Sequence, residues 1–247
     1  TDVLEIGASF GGGSTAVFGR ALKAKGKGEV WSMEAVPVKF KQARQYNLNE
    51  GLPSKLLLAS AVAPEEMPTH EERLAAGDTR PADWLEGEVS VATLHGMGSM
   101  PHLCATHHFG LIFVDGGAFT GPAEWKAINK YCSAVPWVAL DDTHAKTIDI
   151  LVELQNDPNP QWEVVYEELS TRDKELYDGV GWLSKAGYVF KGGQPDLGAV
   201  PPVGKVGTTW WRQSGLFGPE LTTYIQQHAN QQDFRNFALL RNLRCTH

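Results

Sequence analysis

Short runs of apolar residues alternate along the chain with longer stretches in which apolar residues recur every three or four positions. The short runs, bounded by glycine, proline or charged residues, are typical of buried strands, and the longer period is typical of helices that pack on a sheet. This pattern predicts strands at residues 3–6, 29–34, 55–62, 110–115, 135–140, 162–166 and 181–190. It predicts helices at residues 16–22, 37–49, 69–76, 122–132, 146–156 and 219–244.

The alternation of strands and helices predicts an α/β fold built on one sheet. Parallel neighbours need a crossover connection, and right-handed crossovers place helices on both faces of the sheet. We therefore expect a doubly wound sheet of seven mostly parallel strands, with the strand at 181–190 paired antiparallel near the edge.

Composition divides the chain into a core and a tail. Residues 1–190 form the predicted α/β domain, and residues 191–247 form a Gly- and Pro-rich linker followed by a helical extension. Residues 64–108 are longer than a usual βα connection and are expected to be a lid or an insertion. Within them we predict one helix at 69–76 and a short strand at 89–94.

Charge and cysteine content narrow the classes of partner and compartment. The 247 residues carry a formal net charge of −7, which argues against a nucleic-acid partner, because such partners need a basic face. No run of 18 apolar residues and no signal peptide is visible, so no membrane span is expected. Cys104, Cys132 and Cys245 have no metal-ligand spacing, which favours a reducing intracellular compartment. Thr1 indicates a processed or trimmed end, so that compartment is the cytoplasm or an organelle reached after loss of a transit peptide.

The first predicted strand runs into a glycine-rich loop. Residues 3–15 read Val-Leu-Glu-Ile-Gly-Ala-Ser-Phe-Gly-Gly-Gly-Ser-Thr, and Ser14 is expected to cap the next helix. A strand, a glycine loop and a helix start form a typical cradle for a nucleotide-type cofactor. The letters Gly11-x-Gly13-x-x-Ala16 match the dinucleotide fingerprint, but that fingerprint begins directly after the strand, where this chain has Gly7.

The loop resembles motif I of class I S-adenosylmethionine-dependent methyltransferases. The likeness lies in Glu5-Ile6-Gly7 followed by Gly-Gly-Ser14-Thr15, and it is greatest to cephalosporin-hydroxylase-like and cation-dependent O-methyltransferases. The resemblance implies a Rossmann-like fold and S-adenosylmethionine as the cofactor. It also implies that the acid ending the second strand, Glu34, binds the ribose hydroxyls. The alternative is that Glu34 is a carboxylate favoured by the dipole of the next helix. The complete set of cofactor-binding residues expected from this resemblance is Glu5, Gly7, Ser9, Gly11, Ser14, Glu34 and Asp115.

Three carboxylates are predicted to meet where two neighbouring strands end. Asp115 ends one strand, and Asp141 and Asp142 follow the next. Clustered carboxylates need a cation, and oxygen ligands suit Mg²⁺. Cation-dependent O-methyltransferases have this pattern, so the resemblance implies that these aspartates are metal ligands. His144 is the candidate for taking the proton of the substrate hydroxyl. The alternative is that the aspartates cap the loop and the helix that follow them.

The leading hypothesis is a metal-assisted O-methyltransferase acting on a small hydroxylated molecule. Related enzymes often have His or Lys three residues after the first aspartate, where this chain has Ala118. That departure favours the alternative of a catalytically silent methyltransferase-like subunit, which would contact a protein partner through the C-terminal tail. A nicotinamide-dependent oxidoreductase is the third hypothesis, and the placement of the glycines argues against it.

Overall fold

The computed structural model describes residues 2–75, 82–143, 146–147, 150–151, 153–154, 157–167, 190–191, 194–195 and 237–245. Its strands are β1 Asp2–Ile6, β2 Val30–Glu34, β3 Ser54–Leu58, β4 Phe109–Val114, β5 Trp137–Leu140, β6 Trp162–Glu167, β7 Phe190–Lys191, β8 Gln194–Pro195 and β9 Ala238–Asn242. Its α-helices are α1 Ser14–Lys25, α2 Pro37–Glu50, α3 His70–Ala75, α4 Ala82–His95, α5 Met100–Thr106 and α6 Gly121–Tyr131. Short 3₁₀ helices cover Pro64–Glu66 and Leu243–Cys245.

The main sheet has seven strands in the order β3-β2-β1-β4-β5-β9-β6. Strands β1 to β5 pair in parallel, and β9 is antiparallel to both of its neighbours. The predicted seven-stranded, mostly parallel, Rossmann-like sheet is therefore confirmed. Strands β1 and β4 are adjacent, but the chain continues from β1 toward β2 on one side and from β4 toward β5 on the other. Open α/β sheets bind ligands in the crevice at the carboxyl ends of two such strands.

The antiparallel strand comes from a part of the chain that was predicted to be helical. β9 lies inside the expected helix at 219–244, so that expectation is wrong for its five residues. Apolar residues alternate there, with Ala238 and Leu240 buried against β5 and β6, and long-range pairing sets the structure. Most of the strand expected at 181–190, residues 181–189, lies outside the described residues, as does most of the predicted tail. The division at residue 190 stays a prediction.

The insertion at 64–108 is more helical than its sequence suggested. The helix expected at 69–76 corresponds to α3, whereas the strand expected at 89–94 is wrong because these residues belong to α4. Leu85 and Ala92 are buried along one face of α4, and this packing outweighs the local β-like alternation. Helix α5 was not predicted.

Two of the three cysteines are paired, although the cysteine pattern was interpreted as that of a reducing compartment. Cys104 of α5 and Cys132, just after α6, are joined by a disulfide with 5.2 Å between their Cα atoms, and Cys245 is free. The odd number of cysteines gave no sign of this pairing, which fastens the insertion to α6.

None of the helices in the described ranges has the length and apolar character needed to cross a bilayer.

Candidate functional site

A cavity of about 960 Å³ opens at the carboxyl ends of the central strands. Its floor is the glycine loop after β1 and the residues that follow β2, β4 and β5. Helix α4 forms the roof, with residues of its first three turns facing the cavity. The volume is in the range of small-molecule sites.

Gly7 is where the chain leaves β1, and its geometry depends on having no side chain. Its amide donates to the Met33 carbonyl oxygen at 3.0 Å, and its φ is +96°. A Cβ atom at this position would lie 2.0 Å from the carbonyl oxygen of Asp115. Only glycine allows the loops after β1 and β4 to approach this closely. The cofactor residues and the first metal-ligand candidate are thereby held side by side.

Of the residues predicted to bind the cofactor, Ser9 and Ser14 line the cavity, whereas Gly11 does not. Gly11 packs instead against α2, since a Cβ there would lie 2.8 Å from the Cα atom of Ala43. Ser14 was expected to cap α1, but it is the first residue of the helix. Gly13 occupies the N-cap position, where it has no side chain that could cap the helix.

Glu34 lies at the end of β2, borders the cavity and is 6% exposed. One carboxylate oxygen accepts the Ser9 amide at 2.7 Å, and the other accepts the Val36 amide at 2.8 Å. The first bond ties the glycine loop to β2. The second places charge at the start of α2, so the geometry agrees with both roles that the sequence left open for Glu34.

Glu5 does not reach the cavity, contrary to the expectation that it contacts the cofactor. Its neighbour across the sheet is Ser32, and the two side chains meet beneath α1. One Glu5 oxygen accepts hydrogen bonds from the hydroxyls of Thr15 and Ser32, both at 2.5 Å. Burial raises the pKa of Glu5, although these hydroxyls and that of Ser14 lower it. Strand alternation points Glu5 into the α1 face, so its contacts are internal.

The three predicted metal-ligand candidates, Asp115, Asp141 and Asp142, do come together, with carboxylate oxygens within 4.8 Å of one another. A cation that was not predicted lies beside them. The Lys146 ammonium lies 2.7 Å from an oxygen of Asp115 and 3.1 Å from one of Asp142. Its spacing of four residues from Asp142 is typical of a helical ion pair and was the available signal.

Charge crowding changes the proton affinity of this cluster. Burial, followed by the charges of Asp115 and Asp142, raises the pKa of Asp141 to about 7, and Lys146 opposes the shift. Burial alone would lower the pKa of Lys146, but the two aspartates that it contacts raise it. The cluster therefore binds protons more readily than free aspartates do, while Lys146 stays charged.

Three further acids that line the cavity were not predicted: Asp83 and Glu88 of α4, and Glu124 of α6. Glu124 of α6 lines the cavity, is 2% exposed, and has one oxygen, Oε2, without a hydrogen-bond partner in the described part of the chain. Burial raises its pKa to about 7. Glu88 of α4 accepts the amides of Ala118 and Phe119 at 2.6 and 2.9 Å, and so joins the roof to the loop after β4.

His144, the predicted proton acceptor, lies outside the described residues. Ala118 offers the cavity no side-chain acid or base, and its amide serves to hold Glu88.

No family model and no curated protein matches the chain. Solved structures do match in fold. The TrmK protein of M. capricolum, bound to S-adenosyl-homocysteine, is 8% identical with a TM-score of 0.40 over 98% of this chain. The likeness between TrmK and this chain is one of fold. Coclaurine N-methyltransferase, bound to N-methylheliamine and S-adenosyl-homocysteine, is 10% identical with a TM-score of 0.42 over 97%. The methyltransferase PaMTH1 of Podospora anserina is 13% identical with a TM-score of 0.39 over 98% of this chain and 71% of its own. This chain spans only 62% of the TrmK structure and 66% of the coclaurine enzyme.

Proposed function

We propose that this chain binds S-adenosylmethionine in the cavity and transfers its methyl group to an oxygen of a small hydroxylated molecule, assisted by a divalent cation. The observation that carries the proposal is that the glycine loop, Glu34 and the aspartate cluster all border one cavity. A cofactor in contact with the loop would therefore have its reactive end close to acids suited to handling a hydroxyl proton.

The described residues fit the cofactor. No atom lies within 4 Å of a Cβ built on Gly13, so the loop leaves open space on that side. Glu34 offers a carboxylate at the edge of the cavity, and a carboxylate can accept hydrogen bonds from both hydroxyls of a ribose. S-Adenosylmethionine supplies a methyl group on a sulfonium, which an oxygen nucleophile can attack.

The aspartate cluster also fits a hard cation by ligand type. Asp115, Asp141 and Asp142 would hold it, and it would lower the pKa of a bound hydroxyl. Lys146 supplies positive charge at the same carboxylates, so a cation binding there competes with the ammonium group. His144 remains the proposed acceptor of the hydroxyl proton.

Calorimetric titration with S-adenosylhomocysteine, with and without Mg²⁺, tests this proposal. We expect micromolar binding by the wild type. Glu34→Ala should weaken it at least about tenfold, because hydrogen bonds to a charged group are worth about 1.5–3 kcal/mol each. The matched control is Glu50→Ala, since Glu50 is an exposed acid paired with Arg20 on the surface. We expect the control to bind like the wild type.

The outcomes separate the parts of the proposal. Binding that is unchanged by Mg²⁺ and by Asp141→Asn would remove the metal and leave the cofactor. A folded protein that fails to bind S-adenosylhomocysteine would refute methyl transfer and favour the silent methyltransferase-like subunit.

A further inference from the structure

We propose that the acceptor molecule carries a positively charged amino group. The carboxylates of Asp83 and Glu124 and the ring of Trp84, which all line the cavity, would hold this group. This inference rests on the proposed function and names the substrate class for the same site.

The cavity is strongly acidic. Among the described residues that line it, seven side chains are carboxylates and two are lysines, Lys39 and Lys146. S-Adenosylmethionine carries one net positive charge at neutral pH, and the divalent cation of the proposed function carries two. Together they offset three of the five excess negative charges, so the cavity keeps a smaller excess of acid. A concave site lined by one sign of charge focuses its field and concentrates ligands of the opposite sign.

Most of these carboxylates already have partners in the protein, and two stand apart. Glu34 and Glu88 accept backbone amides, Asp115 and Asp142 contact Lys146, and Asp141 belongs to the same cluster. By contrast, Glu124 borders the cavity, and its Oε2 atom is buried with no partner among the described residues. A buried acceptor of this kind is costly to leave unpaired, so this part of the cavity favours a bound molecule that brings a donor to Glu124.

The second carboxylate that stands apart is Asp83, which lies in the first turn of α4, next to Trp84 in the chain. Both residues line the cavity, and Trp84 is 55% exposed. An exposed indole next to a carboxylate is suited to an ammonium or guanidinium group, which is attracted by the ring face and by the charge.

The roof is held in place at two points beyond this pair. Glu88 binds the amides of Ala118 and Phe119, and Nε2 of His95 lies 2.7 Å from the carbonyl oxygen of Ala35. These contacts fasten the middle and the end of α4 across the cavity. Asp83 and Trp84 therefore lie on a helix that is fixed at two other points. An anionic acceptor that enters beside them would be repelled by the charge of Asp83.

The test compares three hydroxylated probes of similar shape and different charge: 4-hydroxyphenethylamine, 4-hydroxyphenethyl alcohol and 4-hydroxyphenylacetate. Binding to the full chain is measured by calorimetry at low and high salt, with and without S-adenosylhomocysteine. We expect the amine to bind roughly tenfold more tightly than the alcohol and the carboxylate to bind most weakly, with the preference shrinking at high salt. Asp83→Asn and Trp84→Leu should each reduce the preference for the amine.

Glu86→Gln is the matched control, because Glu86 is an exposed acid of the same helix that does not line the cavity. Its preference for the amine should equal that of the wild type. Equal binding of the three probes, or tighter binding of the carboxylate, by a protein that binds S-adenosylhomocysteine would overturn the inference and leave the proposed function intact. Preference for the amine without any binding of S-adenosylhomocysteine would support the acidic site and refute methyl transfer.

Discussion

A Gly7→Ala variant is expected to lose at least about 4 kcal/mol of its free energy of unfolding, or to fail to fold. The new methyl group would lie 2.0 Å from the carbonyl oxygen and 2.6 Å from the carbonyl carbon of Asp115. Neither atom belongs to a flexible side chain, so the backbone itself would have to move. The φ of +96° adds strain, since this region disfavours residues that have a Cβ.

The movement would disrupt the sheet as well as the loop. The Asp115 amide donates to the Ile6 carbonyl oxygen at 2.9 Å, and this bond is the last link between β1 and β4. Separating the two loops would also displace the aspartate cluster from the glycine loop. We therefore expect any folded fraction of Gly7→Ala to bind S-adenosylhomocysteine less tightly than the wild type.

Urea unfolding followed by circular dichroism measures the loss, and Gly87→Ala is the matched control. Gly87 lies inside α4, where a Cβ meets no atom within 4 Å. Alanine is the better helix former by about 1 kcal/mol, so the control should be as stable as the wild type or slightly more stable. Equal stability of the two variants would show that Gly7 does not enforce the approach of the two loops.

The parts of this fold that sequence predicts well are those set by local pattern. The buried runs at 3–6 and 110–115 are continuous and apolar, so their strands were predicted, and the aspartate cluster followed because parallel strands end at one edge. β9 was missed because its structure depends on pairing with Trp137–Leu140, about a hundred residues earlier. Residues 89–94 were misjudged because the burial of Ala92 on the helix face is a tertiary effect.

The candidate site shows the same division between pattern and packing. Residue type and strand position identified Glu34 and the aspartates as lining residues, and the cavity includes all of them. The four-residue spacing indicates that Lys146 pairs with Asp142, but its contact with Asp115 depends on where the segment after β5 turns, which no local pattern fixes. Glu5 was expected to bind the cofactor, but its donors, Thr15 and Ser32, come from two other elements and cannot be read from its own strand.

Glu124→Gln is expected to stabilise the protein at pH 8 and to have little effect at pH 5. Burial, with smaller contributions from Glu88 and Asp115, raises the pKa of Glu124 from 4.5 to about 7 in the folded state, against the opposing effects of Thr120 and Lys146. Between these values the folded protein binds more protons than the unfolded chain, so stability falls as the pH rises. The loss is complete above pH 7 and reaches at most about 3 kcal/mol.

Glutamine keeps the shape of the side chain and does not titrate, so the variant escapes this loss. The measurement is the difference in free energy of unfolding between variant and wild type at the two pH values. Taking this difference cancels the contribution of Asp141, whose pKa is also raised to about 7 and which is present in both proteins. Glu65→Gln, at an exposed acid of the insertion, is the control and should show no change with pH.

A difference that is the same at pH 5 and pH 8 would contradict the prediction, because it would mean that Glu124 is equally charged in the folded and unfolded states. A difference that grows with pH would establish a carboxyl group at the cavity that holds its proton near neutrality. Such a group can donate a hydrogen bond when protonated and pair with a cation when ionised, and the pH of the assay would decide which. Preference for the amine probe should accordingly increase from pH 6 to pH 8 in the wild type and change less in Glu124→Gln.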